Sequence, residues 1–257
     1  MYDQVCYERP FLKEVIARID FLVPLASVAK ELPPKMANAV SKLFPISQPN
    51  KAIAQELQLT KEMLQHSRKE VMEWIFFGKD REKRLVVTAE ALFVSYSSYT
   101  TYEDLNRDFT IATEEIFKAF PDVRARRLGL RYVNNIEVAD AADKPTSWDA
   151  YINTQLLGLF NLFGDPNHVA RLFHIVELKY DDASLKFQFG MPNPDFPATI
   201  RKPLFVIDLD ASVVGSQDCA EILSNVDHCH ALVQDRFEHS ITDKLRDRMH
   251  ARPNPAH

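Results

Sequence analysis

Glycine is scarce in this chain of 257 residues, whose six glycines are Gly78, Gly129, Gly158, Gly164, Gly190 and Gly215. No two of them are close enough to form the glycine-rich loop that brings backbone amides against a phosphate. The sequence therefore argues against a P-loop NTPase and against a nucleotide-dependent oxidoreductase of the familiar kind.

Cysteines and long apolar runs are also few. Cys6, Cys219 and Cys229 are an odd number at irregular spacing, which favours reduced thiols over a disulfide framework. No apolar run approaches the roughly 20 residues of a membrane-spanning helix. The start, MYDQVCYERP, is charged from its third residue and lacks the apolar core of a signal peptide. We therefore expect a cytoplasmic protein without membrane contact.

The chain has no excess of positive charge. Its formal net charge is −5 and its pI is near 5.9, which argues against a protein that coats nucleic acid non-specifically. The hydrophobic fraction of 46% and the charged fraction of 26% are ordinary for a globular protein, and the length suffices for a substantial core.

The apolar pattern predicts an α+β fold. Strands are predicted at 14–22, 71–77, 84–88, 91–99, 127–136, 172–180, 184–189 and 204–211. Apolar residues at helical spacing predict helices at 101–120, 148–163 and 219–249. We infer two antiparallel-sheet halves, each running strand, strand, strand, long helix, packed together.

The predicted halves are 1–140 and 141–250, with the polar, alanine-rich segment 139–145 between them. Prolines interrupt the first half at about 24–49, which we interpret as a surface insertion. Residues 251–257 contain few apolar side chains and are predicted to be a flexible tail.

The strand predicted at 127–136, RLGLRYVNNI, is unusually polar. Because side chains alternate across a strand, one face would carry Leu128, Leu130 and Tyr132, and the other Arg127, Gly129 and Arg131. The second face is therefore a candidate binding surface.

Basic and aromatic residues around this strand offer a nucleic-acid hypothesis. One basic cluster is Arg124, Arg126, Arg127 and Arg131, and the other is Lys79, Arg81, Lys83 and Arg84. Nearby in sequence are Tyr96, Tyr99, Tyr102 and Tyr132. A single-stranded nucleic-acid groove uses this mixture. The alternative is a solvated turn together with arginines that pair with the many acids of the chain.

The candidate metal ligands are Asp208 and Asp210, which share a strand face in FVIDLDAS. Such a pair can hold a divalent cation, although water-facing carboxylates on a half-exposed strand are the alternative. The DHCH run at 227–230 contains zinc-binding residue types at a spacing that does not suit a helix. No cofactor is expected. No GxSxG motif or activated cysteine indicates a nucleophilic hydrolase.

Three segments together resemble a known family. The opening YERPFLKEVIARIDF, the strand motif LRYVN and the helix segment HALVQDRFEHSIT are similar to signatures of an uncharacterised, sporadically distributed family of bacterial and archaeal proteins of about 250 residues. The first proline of that family's start is replaced here by Arg9. The other matched positions are Pro10, Glu14, Leu130, Arg131, Tyr132, Asn134, His230, Phe237, Glu238, Ile241 and Thr242.

This resemblance implies no catalytic residue, because no activity is established for the family. Its sporadic distribution implies genes that travel between genomes, as defence and toxin–antitoxin genes do. We therefore predict a non-enzymatic interaction or regulatory protein, an accessory or antitoxin-like partner in a mobile defence-type system, whose protein partner is encoded nearby. A second copy of the chain is another candidate partner, which would make a homodimer.

The alternative prediction is a nucleic-acid-binding or metal-dependent nucleic-acid-processing protein that uses the Arg127 and Arg131 face. The candidate binding residues are Arg127, Arg131, Tyr132, Asn134, His230 and Glu238. For Arg131, a structural role in pairing the two halves is weighed equally with a ligand role, since buried charges are normally paired.

Overall fold

The computed structural model describes residues 5–59, 64–99, 101–138, 146–162 and 168–253. Its helices are α1 (Pro34–Ser41), α2 (Tyr102–Ala119), α3 (Gly158–Leu162), α4 (Cys219–Ser240) and α5 (Asp243–Met249). Its first six strands are β1 (Val5–Tyr7), β2 (Leu12–Phe21), β3 (Ile46–Ser47), β4 (Asn50–Leu59), β5 (Leu64–Phe77) and β6 (Lys83–Val87). The others are β7 (Ala91–Tyr96), β8 (Ala125–Glu137), β9 (Leu172–Lys179), β10 (Ser184–Met191), β11 (Leu204–Gln217) and β12 (Ala251–Pro253).

Ten strands form one antiparallel sheet within the described residues. Its order is β3-β5-β6-β7-β2-β8-β11-β10-β9, and β4 pairs with β5 beside this path. The predicted α+β class is confirmed. No helix in the described part of the chain is both long and apolar enough to cross a membrane.

Two halves of the sheet repeat one topology. In the first, β2 lies beside the last strand of the meander β5-β6-β7, and α2 follows; in the second, β8 lies beside the last strand of β9-β10-β11, and α4 follows. The leading strands β2 and β8 pair with each other at the centre, antiparallel, with Ala17 opposite Leu130. Because equivalent strands meet in antiparallel, the topology of the halves is related by an approximate two-fold axis, and their strands form one continuous sheet.

Alternation of side chains explains which sheet surface is buried. On β8, Leu128 and Leu130 are fully buried and Tyr132 is nearly so, as predicted. Their neighbours on the same surface of β2 include Val15 and Ala17, also fully buried. The apolar face of each central strand therefore forms part of the core.

Helices α2 and α4 cover this buried surface. Thr101 caps α2 by accepting a hydrogen bond from the backbone N–H of Asp104, and Asp218 and Glu221 form a capping box on α4. The apolar residues at helical spacing are buried against the sheet: Leu105, Phe109, Ala112 and Ile116 from α2, and Ile222, Val226, Cys229 and Val233 from α4.

Two predicted helices differ from the structure. The helix predicted at 148–163 is shorter in the structure, because Asn153 ends the turn after Trp148 and caps a 3₁₀ turn at Thr154–Leu157, which α3 follows. The helix predicted at 219–249 is interrupted after Ser240. Ile241 is extended there and forms an isolated antiparallel bridge with Ile152. Tertiary pairing thus overrides helical spacing at both places.

The proline-rich segment 24–49 is largely exposed, and a few of its apolar side chains anchor it to the core. It contains α1, which packs against α2, and Val28, Met36 and Phe44 are fully buried. Trp74 Nε1 also donates a hydrogen bond to the Val28 carbonyl at 2.8 Å. The prolines broke up long helices as expected, but the apolar residues between them still require burial.

The two ends of the chain meet in a small sheet. Ala251–Pro253 pairs antiparallel with Val5–Tyr7, so the predicted loose tail is wrong for these three residues. Their backbone amides and carbonyls supply the pairing, which an apolar side-chain pattern does not reveal. Residues 254–257 and the predicted boundary segment 139–145 lie outside the described residues.

Candidate functional site

The sheet separates the predicted site residues into two groups. We call the surface covered by α2 and α4 the helix face, and the opposite surface the open face. Tyr132 and Asn134 are buried on the helix face, beneath His230 and Glu238 of α4, whereas Arg127 and Arg131 are partly exposed on the open face.

On the open face, the arginines of β8 bind the aspartates of β11. Arg131 donates two hydrogen bonds to Asp208, Nε to Oδ1 at 2.8 Å and Nη2 to Oδ2 at 2.6 Å. Arg127 Nη2 donates to Asp210 Oδ1 at 3.1 Å, and its Nη1 lies 3.9 Å from Asp20 Oδ2 of β2. We call these five side chains the arginine–aspartate network, and it links the three central strands.

The two candidate metal ligands, Asp208 and Asp210, are both engaged by this pairing. Asp208 and Asp210 each accept hydrogen bonds from a different arginine, and Asp208 Oδ2 also accepts one from Gln188 Nε2 at 3.2 Å. Within the described residues, no group of three or more His, Cys, Asp or Glu side chains is placed to hold a metal ion.

Burial and charge both act on the network. Burial raises the pKa of Asp210 above its ordinary value, against the opposing effect of the nearby Arg127 guanidinium. The hydrogen bonds to Asp208 raise the pKa of Arg131, which therefore stays charged.

On the helix face, Asn134 adds a neutral link between β8 and β11, because its side-chain nitrogen donates to the Ile207 carbonyl at 3.3 Å.

Gly129 makes room for the network. A Cβ at this position would lie 2.9 Å from Cζ of Arg127, whose guanidinium lies across the glycine. A glycine within a strand often marks such a close approach. The glycine in RLGLRYVNNI thus has a steric explanation.

The second predicted basic cluster does not form one patch. Lys83 and Arg84 lie on opposite faces: Lys83 Nζ donates to Asp108 Oδ2 at 2.6 Å on the helix face, and Arg84 Nε donates to Ser95 Oγ at 2.9 Å on the open face. Arg84 Nη2 also lies 3.5 Å from Glu14 Oε1. Lys83 and Arg84 are therefore each paired with an acid or a hydroxyl, on different faces of the sheet.

On the helix face, a cavity of about 90 Å³ lies between β8, α4 and the N-terminal strand β1. We call it the tyrosine cavity, and its aromatic and charged walls are Tyr7, Tyr99, Tyr102, Tyr132, His230, Phe237 and Glu238. Asn134, Val233 and Met249 are buried in its lining, whereas Tyr7 and Tyr102 are only partly buried. The cavity thus has a buried floor and a partly exposed rim.

Hydrogen bonds connect the phenols and the imidazole. The hydroxyls of Tyr99 and Tyr132 are 3.1 Å apart, and the Tyr132 hydroxyl is 3.2 Å from His230 Nδ1. The His230 ring stacks on Tyr102 with ring centroids 3.7 Å apart and planes at 3°. The Tyr102 hydroxyl donates to Asp227 Oδ1 at 2.6 Å, which fixes the stack on the surface of α4.

Glu238 forms the charged end of the cavity. Its carboxylate is buried, accepts a hydrogen bond from the Tyr7 hydroxyl at 2.6 Å and accepts another from Arg246 Nε at 2.8 Å. Arg246 also donates to the Glu238 carbonyl and to Asp243 Oδ1. The negative charge is thus compensated by a guanidinium outside the cavity lining.

Burial keeps the phenol hydroxyls of the cavity protonated. It raises the pKa of Tyr7, Tyr99, Tyr102 and Tyr132 well above the ordinary value of a phenol. The phenols are therefore neutral at physiological pH, as donors or acceptors of hydrogen bonds.

The side chains of the DHCH run at 227–230 lie in different environments. Asp227 accepts hydrogen bonds from Tyr102 and Asn106, Cys229 is fully buried in the core, and His230 lines the tyrosine cavity. Burial raises the pKa of the Cys229 thiol to about 12, which disfavours its thiolate.

Sequence reasoning missed Tyr7 and Arg246 as site residues. Tyr7 lies 231 positions from its partner Glu238, and Arg246 reaches Glu238 only because the chain turns at Ile241. The tyrosine of the opening motif was a usable signal for the first. No helical spacing signals the second, since the two residues belong to different helices.

No protein-family model matches the chain, and no curated protein matches it significantly.

Proposed function

We propose that the protein is a non-enzymatic interaction protein that binds a protein partner through the open face of its sheet. The observation that carries this proposal is the distribution of helices. Among the described helices, α2 and α4 pack on the sheet and cover its helix face. The central strands remain partly exposed on the open face. An uncovered face of a large sheet is a flat surface available to a partner.

Exposed apolar residues support a protein partner. Ile175 of β9 is 59% exposed and Val214 of β11 is 70% exposed, and both belong to the open face, as does Phe173. Protein interfaces combine such apolar positions with polar groups that are already satisfied. The arginine–aspartate network supplies satisfied polar groups at the centre of the same face.

Charge balance favours protein over nucleic acid. The open face carries Arg18, Arg84, Arg127 and Arg131, and it also carries Glu14, Asp20, Asp208 and Asp210 at ion-pair distance from them. Affinity for a phosphate backbone depends on cations that are free to replace its counterions. Here each arginine already has a carboxylate.

The family resemblance adds the partner's origin to this proposal: a protein encoded beside this chain in a mobile defence-type or toxin–antitoxin-type system. The chain would then act as its accessory or antitoxin-like regulator. Satisfied ion pairs suit this role, because they can form a pre-ordered surface that loses little entropy on binding.

Co-purification with the products of neighbouring genes tests the proposal. Ile175→Glu places a charge among the exposed apolar residues and is expected to reduce partner recovery about tenfold or more, as for a buried interface position. Leu162→Glu, at a position in α3 that is 71% exposed, is the matched control and should retain the partner. Loss of the partner by the control but not by Ile175→Glu would contradict the open-face assignment.

A second candidate is nucleic-acid binding by the same face. It is favoured by the exposure of the Arg18, Arg84 and Arg131 side chains, which are 45%, 46% and 43% exposed. The guanidiniums of Arg18 and Arg84 also lie 5.8 and 5.7 Å from the Phe93 ring centroid. Single-stranded oligonucleotides, titrated by fluorescence anisotropy at several salt concentrations, would show binding that Arg131→Met weakens and that salt weakens steeply.

A further inference from the structure

We propose that the tyrosine cavity is a binding site for a small, uncharged, planar molecule with a hydrogen-bond donor on its edge. This site is separate from the proposed partner surface, because it lies on the helix face. Its walls come from β1, β8, α4, the start of α2 and the end of α5. Ligand pockets in proteins have this character: apolar walls with a few converging polar groups.

The cavity remains open because its walls are held apart. Tyr102 is fixed by its hydrogen bond to Asp227 and by stacking on His230, and Tyr7 is fixed by Glu238. Tyr132 is held between Tyr99 and His230. Ordinary cores fill such gaps with side chains. Here each of the four tyrosines is restrained by a polar contact at its hydroxyl, so these walls do not collapse into the gap.

Size limits the ligand to about one ring. The cavity measures about 90 Å³. An engineered apolar cavity of roughly 150 Å³ encloses benzene, so the smaller tyrosine cavity holds part of one ring, and the rest of the ring lies at the partly exposed rim formed by Tyr7 and Tyr102. The flat walls formed by Tyr102, Tyr132 and His230 favour a planar group over a branched one.

Charge compensation excludes an ionic ligand. Glu238 is the acidic residue of the lining, and Arg246 already neutralises it from outside. The described lining contains no lysine or arginine. The phenols around it remain protonated, because burial raises the pKa of Tyr99 and Tyr132. A charged ligand would lose its hydration, and an anion would gain no lysine or arginine of the lining in return.

Asn134 determines the polar edge. Its side-chain nitrogen donates to the Ile207 carbonyl, and a side-chain amide oxygen has two acceptor sites for a donor that enters the cavity. Asn134 lines the cavity and is 3% exposed. A buried amide oxygen gains most from a donor, so the ligand is expected to present an N–H or O–H to it.

Phenol, toluene and benzoate distinguish these features. Phenol and toluene have the same shape, but only phenol has a donor, and benzoate adds a charge. Binding is followed by two-dimensional NMR of the full chain. We expect phenol to bind at concentrations on the order of millimolar, the range for so small a ligand. Toluene should bind about fivefold to tenfold more weakly, the factor contributed by one hydrogen bond, and benzoate should not bind.

Two variants test the location. Val233→Phe fills the cavity from α4 and should abolish phenol binding, with the milder Val233→Leu as the substitute where the larger side chain prevents folding. Asn134→Leu should remove the preference for phenol over toluene. Leu162→Ala, on the exposed surface of α3, is the control that should bind phenol as the parent does.

The proposal is overturned by any of three results. The first is the absence of phenol-dependent NMR shifts at about 10 mM, a concentration above the affinity range expected for such a ligand. The second is that toluene or benzoate binds as tightly as phenol. The third is that phenol binding is unchanged in folded Val233→Phe or Val233→Leu. None of these results depends on the open face, so they leave the proposed partner interaction unaffected.

Discussion

The Arg131–Asp208 pair is expected to contribute measurably to stability by joining the neighbouring strands β8 and β11. The carboxylate of Asp208 is 7% exposed, whereas the Arg131 side chain is 43% exposed. Breaking a buried ion pair by removing one partner costs about 3–5 kcal/mol, and breaking an exposed pair costs about 0–1 kcal/mol. The geometry of this pair lies between the two cases.

The perturbation is a double-mutant cycle of Arg131→Met, Asp208→Asn and the double variant. Arg131→Met leaves a nearly buried carboxylate with Gln188 as a remaining side-chain donor, so we expect a loss of about 2 kcal/mol. Asp208→Asn leaves the half-exposed guanidinium to water and should cost about 1 kcal/mol. The double variant leaves neither charge behind and should cost about as much as Asp208→Asn, so the coupling energy is about 2 kcal/mol.

Urea unfolding followed by circular dichroism measures the cycle. A protein of this length is expected to have an m-value of about 3 kcal/mol per M, so Arg131→Met should lower the unfolding midpoint by about 0.7 M. A coupling energy below about 0.5 kcal/mol, within the additivity expected of independent sites, would refute the reasoning. The bidentate geometry would then serve to hold Arg131 for a partner, with little contribution to folding.

Gly129, the buried tyrosines and Cys229 support further predictions. Gly129→Ala should displace Arg127 and cost about 1 kcal/mol in urea unfolding, and it should cost less in an Arg127→Ala background. Five tyrosines of the described residues have a raised pKa, so the unfolded chain loses their protons at lower pH than the folded chain. Stability should therefore fall above about pH 10 by up to ~1.4 kcal/mol per pH unit for each of the five. Absorbance at 295 nm should show them ionising together with unfolding, and early ionisation would contradict their burial. Cys229 should react with a disulfide reagent only after unfolding, whereas prompt reaction of the native protein at this position would contradict its raised pKa.

The fold class and most strands were predictable because the buried strands alternate. Val15, Ala17 and Ile19 on β2 and Leu128 and Leu130 on β8 show period two directly in the sequence. The strand β4 was missed because its sequence, NKAIAQELQL, alternates only over its last residues and has Ile53 as its single β-branched or aromatic residue. Its pairing with β5 is made by the backbone, and side-chain patterns do not report backbone hydrogen bonds.

The sequence indicated some residues of the two candidate surfaces, although not Tyr7 or Arg246, and it did not indicate their arrangement. Period two places Arg131 and Tyr132 on opposite faces, as expected. The contact of Tyr132 with His230 joins residues 98 positions apart, and it depends on how α4 crosses the sheet. Nothing in local spacing determines that crossing, so the tyrosine cavity could not be derived from the sequence.

The strand β8 serves both proposed sites, and its pairing makes them independent. Hydrogen bonds to β2 on one side and β11 on the other hold its backbone along most of its length. A ligand in the tyrosine cavity contacts Tyr132 and Asn134, and a partner on the open face contacts Arg127 and Arg131. A backbone restrained on both edges resists the displacement that would transmit one event to the other. The free energies of phenol binding and partner binding should therefore add, and Arg131→Met should leave the affinity for phenol unchanged.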